Sequence, residues 1–256
     1  MIRGLYTSGW SMMANARKMD VITNNLANAN TNGYKKDGVV FESFPEALTQ
    51  RIKDTNGNNV TIGEMSLGSD VGEIHTYNNP GQAVKTDRNL DFSINDNGNS
   101  YFAIGVTQPN GDIQEYYTRD GAFSIDALGR LVNKDGNIVM GQNGAITLKG
   151  DNFSISSDGK IFQNENQVGA IKIVTFTNPE TLRKVGNNTV NTTGQTVQVP
   201  FIGEVMQGYI EQSNVNVVKE MVDMISVTRA YEASQKALQA QDGTLEKAVN
   251  EIGSLR

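Results

Sequence analysis

A seven-residue period at both ends of the chain constrains its fold more than any other feature. Near the C-terminus, Val217, Met224, Tyr231, Leu238, Leu245 and Ile252 recur at intervals of seven, with Val218, Met221, Ile225 and Val249 beside them. Near the N-terminus, Leu5, Met12, Met19 and Leu26 do the same, and Gly9, Ala16 and Thr23 stand four residues after the first three. Such spacing predicts helices with a narrow apolar seam. A helix of about 40 residues is nearly 60 Å long at 1.5 Å per residue, more than a small globular core can cover. The second seam positions are small, so another backbone can come close but little apolar area is buried. The expectation is a coiled-coil-like terminal domain made of both long helices, with further copies packing on it. Its assembly interface is read as Leu5, Met12, Met19, Leu26, Val217, Met221, Met224, Ile225, Tyr231, Leu238, Leu245 and Ile252.

Between the helices the pattern changes. The chain holds 26 glycines against 5 prolines, and Asx-Gly pairs recur at Asn97-Gly98, Asn110-Gly111, Asp120-Gly121, Asp135-Gly136, Asn143-Gly144 and Asp158-Gly159. These are turn signals between short runs rich in β-branched and aromatic residues, such as Tyr101 to Val106 and Ala170 to Phe176. The fold class is therefore α+β, with long terminal helices and a central antiparallel β-rich domain, a sandwich or irregular barrel. The boundaries read as an N-terminal helix and turn (1–36), an extended connector (37–72) with one turn of helix near Pro45 to Gln50, a β-rich domain (73–203) and a C-terminal helix (204–256).

Composition excludes several classes of function. The net charge of -6, with Lys and Arg scattered, offers no basic stripe for nucleic acid. No cysteine is present, which removes disulfides, thiolate metal sites and cysteine nucleophiles. His75 is the single histidine and reads as a polar strand residue. Ser8 and Ser213 lack the strand–turn–helix elbow of a nucleophilic serine. Asp91, Asp96, Asp120, Asp126, Asp135 and Asp158 match no calcium-loop spacing and read as turn residues capping their own backbone. No catalytic residue, cofactor or metal is expected, and the chain reads as a non-enzyme. Gly4, Thr7, Ser8, Gly9 and Ser11 interrupt what could have been the apolar core of a cleaved signal, and no apolar run is long enough for membrane insertion.

Three segments resemble the flagellar hook-basal-body rod protein family, most closely its distal-rod members. The first runs from Asp20 to Lys35 and carries Asn24, Asn25, Asn28, Asn30, Thr31, Gly33 and Tyr34. The second runs from Tyr117 to Asp126 and carries Arg119, Asp120 and Gly121; Gly129 to Val132 follow it. The third begins at Gln207 with Glu211, Ser213 and Asn214 and continues to Arg229 and Tyr231. Together they span nearly the whole chain. A central domain of this length is similar to that of rod subunits with a single β domain, and too short for most hook proteins.

The resemblance implies a structural subunit of the bacterial basal body, exported by the flagellar type III system without a cleaved signal peptide. It implies a helical homopolymer that transmits torque from motor to hook, with other rod subunits, hook protein, the export apparatus and the rod cap as partners. In that family the terminal helices form an inner coiled-coil layer and the β domain an outer one. Rival readings are a hook-type or other axial subunit, and a secreted, oligomeric carbohydrate-binding β module. The module would need aromatic platforms, yet Trp10, the sole tryptophan, lies on the N-terminal helix.

Overall fold

The computed structural model describes residues 2–44, 47–51, 60–65, 68–108, 111–150, 153–164, 166–186 and 188–253. They divide into two compact units: a helical unit of Met1–Leu26, Asp37–His75 and Val217–Arg256, and a β unit of Ala27–Lys36 and Thr76–Asn216. The chain therefore enters each unit more than once.

The helical unit is built on α1 (Ile2–Ala27), β1 (Asp37–Ser43), β2 (Ala47–Arg51), β3 (Val60–Met65), β4 (Ser69–Thr76) and α2 (Val217–Gly253). Strand β1 pairs with β4 and β2 with β3. Where the sequence suggests a turn of helix from Pro45 to Gln50, Ala47 onward is strand; Pro45 and Glu46 lie outside the described residues. The β1/β4 ribbon lies along α1: Trp10 meets the Phe44 ring edge-on at 4.8 Å, Lys18 stands 5.5 Å over Phe41, and Arg17 pairs with Asp70 at 3.1 Å.

The two helices run antiparallel. Gly4 faces the Gln241 carboxamide so closely that a methyl group there would overlap it. The hydroxyls of Ser11 and Ser234 are 3.2 Å apart, and Asn25 Nδ2 donates to Glu220 Oε2 at 3.3 Å. Steps of 7 and 14 residues up α1 (Gly4, Ser11, Asn25) thus match equal steps down α2 (Gln241, Ser234, Glu220). These contacts correct the expected coiled-coil-like terminal domain. Among the described residues there are two α-helices and a β-rich middle, so α+β stands, and the contacts described between the helices run through glycine, serine, asparagine, glutamine and glutamate. Val217, Met221 and Ile225 of the expected seam are exposed, and among the described residues the buried hydrophobic side chains of the helices are Ala14, Ile22 and Val227.

The β unit begins its regular structure with β5 (Ala83–Lys85), β6 (Phe92–Asn95), β7 (Ser100–Thr107) and β8 (Ile113–Thr118), and its registered ladders are antiparallel. The largest sheet is organised around β7, which pairs with β8 (Phe102 opposite Thr118), with Ile138–Gly141 (Ile104 opposite Val139) and with Ile173–Phe176 (Tyr101 opposite Val174). Alternation along β7 explains two cores. Phe102 and Ile104 enter a large cluster with Phe92, Phe123, Leu131 and Ile161, whereas Tyr101 and Ala103 join Tyr117, Val174 and Phe176. Fully burying one such side chain contributes about 1.5–3 kcal/mol.

The Asx-Gly pairs behave as turn chemistry predicts, with one exception. Gly98, Gly111, Gly136, Gly144 and Gly159 have positive φ. Gly121 does not, and instead lies against the Phe92 carbonyl, where any side chain would collide; the requirement there is close backbone approach, not a left-handed turn.

Candidate functional site

The densest buried charge lies in the β unit. Asp96 follows β6, Arg119 follows β8, Glu211 ends the Tyr209–Glu211 strand, and Lys35 belongs to the turn after α1. Their side chains are 5%, 1%, 3% and 5% exposed. Arg119 spends its guanidinium on protein partners alone: Nε donates to Glu211 Oε2, Nη1 to the Ser100 carbonyl, and Nη2 to Asp96 Oδ1 and the Ile94 carbonyl. Lys35 Nζ donates to Glu211 Oε1 and, at 3.0 Å, to the Asn79 carbonyl. Glu211 Oε1 also accepts the Gly81 amide at 2.9 Å. Two cations and two carboxylates thus form a neutral group, the arrangement in which buried charge is tolerated.

The electrostatics follow from that pairing. Burial alone would lower the Arg119 pKa, but the charges and hydrogen bonds of Glu211 and Asp96 outweigh it and hold it above the ordinary value. Burial pushes the Asp96 carboxyl up, yet the Arg119 guanidinium holds it below the ordinary range. For Lys35 desolvation wins: its pKa is lowered, and the Glu211 carboxylate offsets this only in part. Each charged atom is committed to a protein partner, so the group acts as a fixed joint between distant chain segments. Among the described residues no cluster of histidine and carboxylates has the makings of a metal site.

The three resembling segments converge on this joint. Gly33, at φ 66°, sits against the Arg119–Asp120 backbone where a side chain would collide, and its amide donates to the Glu211 carbonyl at 2.8 Å. Tyr34 is buried under Lys184 Nζ, 4.6 Å from its ring centroid. Asp120 accepts the Ala122 amide and pairs with Lys134 at 3.2 Å. Asn214 Oδ1 accepts the Lys36 amide at 2.8 Å, while Nδ2 donates to the carbonyls of Tyr77 and Asn79; Ser213 Oγ accepts the Val215 amide. Nearer α1, Asn28 Oδ1 accepts the Thr31 hydroxyl, and Asn24 and Asn30 are exposed.

Asn25 and Arg229 fall elsewhere, in the helical unit. Asn25 is buried and its carboxamide exchanges two hydrogen bonds with the Asp37 backbone, at 2.8 and 2.9 Å, which starts β1. Arg229 is exposed and Tyr231 half-buried. Of the expected interface, Leu5, Met12, Met19, Leu26, Met224, Tyr231, Leu238 and Leu245 are half-buried, while Val217, Met221 and Ile225 are exposed; the Ile252 side chain lies outside those described. His75 is in β4 and Ser8 in α1.

Sequence reasoning missed Asp96 and Glu220 as partners. Asp96 does cap its turn, accepting the amides of Gly98, Asn99 and Ser100, and the turn reading concealed its pairing with Arg119. Glu220 was readable only as a polar residue interrupting an apolar helix start.

Comparison with known proteins bears on all three segments. Residues 5–35 match the family described as flagella basal body rod protein, 94–163 the flagellar hook protein FlgE/F/G D1 domain, and 206–251 the flagellar basal body rod FlgEFG protein C-terminal region. The chain is 35% identical to the flagellar basal-body rod protein FlgG of Bacillus subtilis, covering 98% of this chain and 99% of that protein. It is 34% identical to FlgG of Buchnera aphidicola from Acyrthosiphon pisum (96% and 98%) and 30% identical to the rod protein FlgF of Rhizobium meliloti (99% and 99%).

Proposed function

The chain belongs to the flagellar basal-body rod protein family and is a structural, FlgG/FlgF-like subunit of the basal body; on that premise we propose that it polymerises helically through its terminal helices and carries torque. The observation that supports this is an apolar face on the first turns of α2, where Val218 is 72%, Met221 49%, Val222 57% and Ile225 54% exposed. Residues at such spacing share one helix surface, and an apolar surface of this kind in a soluble subunit marks a contact with a partner. Tyr6 and Met13 form a second exposed apolar pair on α1.

Two unlike patches on one molecule make a head-to-tail contact, which generates an open helical polymer when the rotation does not close. Val217, Met221 and Ile225 then meet neighbouring copies. Other rod subunits and the hook protein continue the same stacking at the ends of the polymer, with the rod cap and the flagellar type III export apparatus as transient partners.

The test is a chain with Met221→Asp and Ile225→Asp together. It should remain soluble with an unchanged urea midpoint for the β unit, yet fail to polymerise and leave cells non-motile. Normal swimming on that variant would overturn the proposal.

A further inference from the structure

The turn after α1 belongs spatially to the β unit, although in sequence it is continuous with α1. It is held by burial of the Tyr34 ring under Lys184 and by hydrogen bonds to its backbone and to Lys35. The Gly33 amide donates to the Glu211 carbonyl at 2.8 Å and the Asn214 amide to the Tyr34 carbonyl at 3.3 Å. Asn188 Nδ2 donates to the Asn32 carbonyl at 2.7 Å and Lys184 Nζ to the Lys35 carbonyl at 2.7 Å. The Lys36 amide donates to Asn214 Oδ1 at 2.8 Å, and the Tyr77 amide to the Lys36 carbonyl at 2.9 Å. Main-chain capture of this kind, with one side-chain charge for selectivity, is how a protein binds a peptide segment.

The charge balance makes the segment more than a passenger. Removing Lys35 leaves two buried carboxylates, Asp96 and Glu211, against the single Arg119 cation, and an uncompensated buried charge is strongly unfavourable. We propose that Ala27–Lys36 is a docked insert whose seat, formed by Asn79, Arg119, Asn188, Lys184, Glu211 and Asn214, must be filled for the β unit to close, and that this seat accepts the same segment from a second copy of the chain or as a free peptide. Closure of the β unit is thereby conditional on both ends of that unit: the insert precedes its first strand and Glu211 follows nearly all the rest. The inference is independent of how the subunit polymerises.

Hydrogen exchange on the full, unmodified chain is the first test. The amides of Gly33, Lys36 and Gly81 should exchange in the same slow class as those of β7 and β8, because they open only when the whole unit opens. Exchange of Gly33 and Lys36 at unprotected rates while β7 remains protected would show the seat to be dispensable and overturn the proposal. The second test uses the full chain with Lys35→Ala, whose β unit should lose folding equilibrium by a factor on the order of a hundred or more. A synthetic peptide of residues 27–36 should restore slow exchange in β7, and the same peptide with Lys35→Ala should not. Rescue by neither peptide, rescue by both, or a variant as stable as the unmodified chain would each count against it.

Discussion

The β unit and the helical unit are stabilised in opposite ways. In the β unit, Phe92, Phe102, Phe123, Phe176, Ile104 and Leu131 are fully buried, and charges taken from water have partners within the same unit. In the helical unit a 37-residue helix keeps Val218, Met221, Val222, Ile225 and Val249 in solvent and touches its companion through small and polar groups. One unit is complete in a single chain. The other leaves apolar surface exposed, and the polymer contact proposed above would cover it, so on that proposal its stability rises with concentration.

Changes that remove a partner should separate the two. Arg119→Met should cost the most, about 3–5 kcal/mol, because it leaves two buried carboxylates, Asp96 and Glu211, against the single Lys35 cation; urea unfolding followed by tyrosine and near-ultraviolet signals of the β unit measures it. A loss below about 1 kcal/mol would mean that the joint is not what closes the unit. Asn25→Ala comes next, at about 1–3 kcal/mol, since it removes both hydrogen bonds to the Asp37 backbone and one to Glu220. Its effect should appear as faster exchange and proteolysis of the helical unit with β7 unchanged. An equal loss in both units would break the comparison.

Two groups of the β unit should give it a pH response. Asp96 has a carboxyl held below 3.8, so on acidification the unfolded chain takes up the proton first. The stability it contributes is full above pH 3.8 and is lost as pH falls through the folded-state value. Burial pushes the Tyr101 phenol up from 10.0 to about 12, so in alkali the unfolded chain ionises first. That contribution is present below pH 10 and lost as pH rises towards 12. Tyr101→Phe should flatten the alkaline decline of the melting temperature; an unchanged decline would assign it to other groups. Smallest of all, Arg229→Ala on exposed α2 should stay within about 0.5 kcal/mol in the isolated chain.

What could be read from the sequence was local. The two helices, the turns at Gly98, Gly136 and Gly159, and the three segments that identify the family all depend on residues close together in the chain. The coiled-coil reading failed because a seven-residue period fixes which residues share a helix face and leaves open what the other helix presents to it; here that is Gly4, Ser11 and Asn25. Strand β2 was missed because what makes it a strand is its antiparallel pairing with β3, Leu48 opposite Glu64, and a five-residue run does not show its partner. The joint was half-visible: Arg119 and Glu211 stood out within their segments, but Asp96 already had a sufficient local explanation, and nothing nearby in sequence marks it as the partner of Arg119.

The three-way grip on Glu211 has a consequence for how the sequence can change over generations. Its carboxylate serves Lys35, Arg119 and the Gly81 amide at once, so no single compensating substitution can rescue its loss. A charge reversal there requires two simultaneous reversals at positions far apart in the gene, and each intermediate leaves unbalanced charge in the interior. One-step change there is thereby disfavoured by the charge it would leave unpaired in the interior.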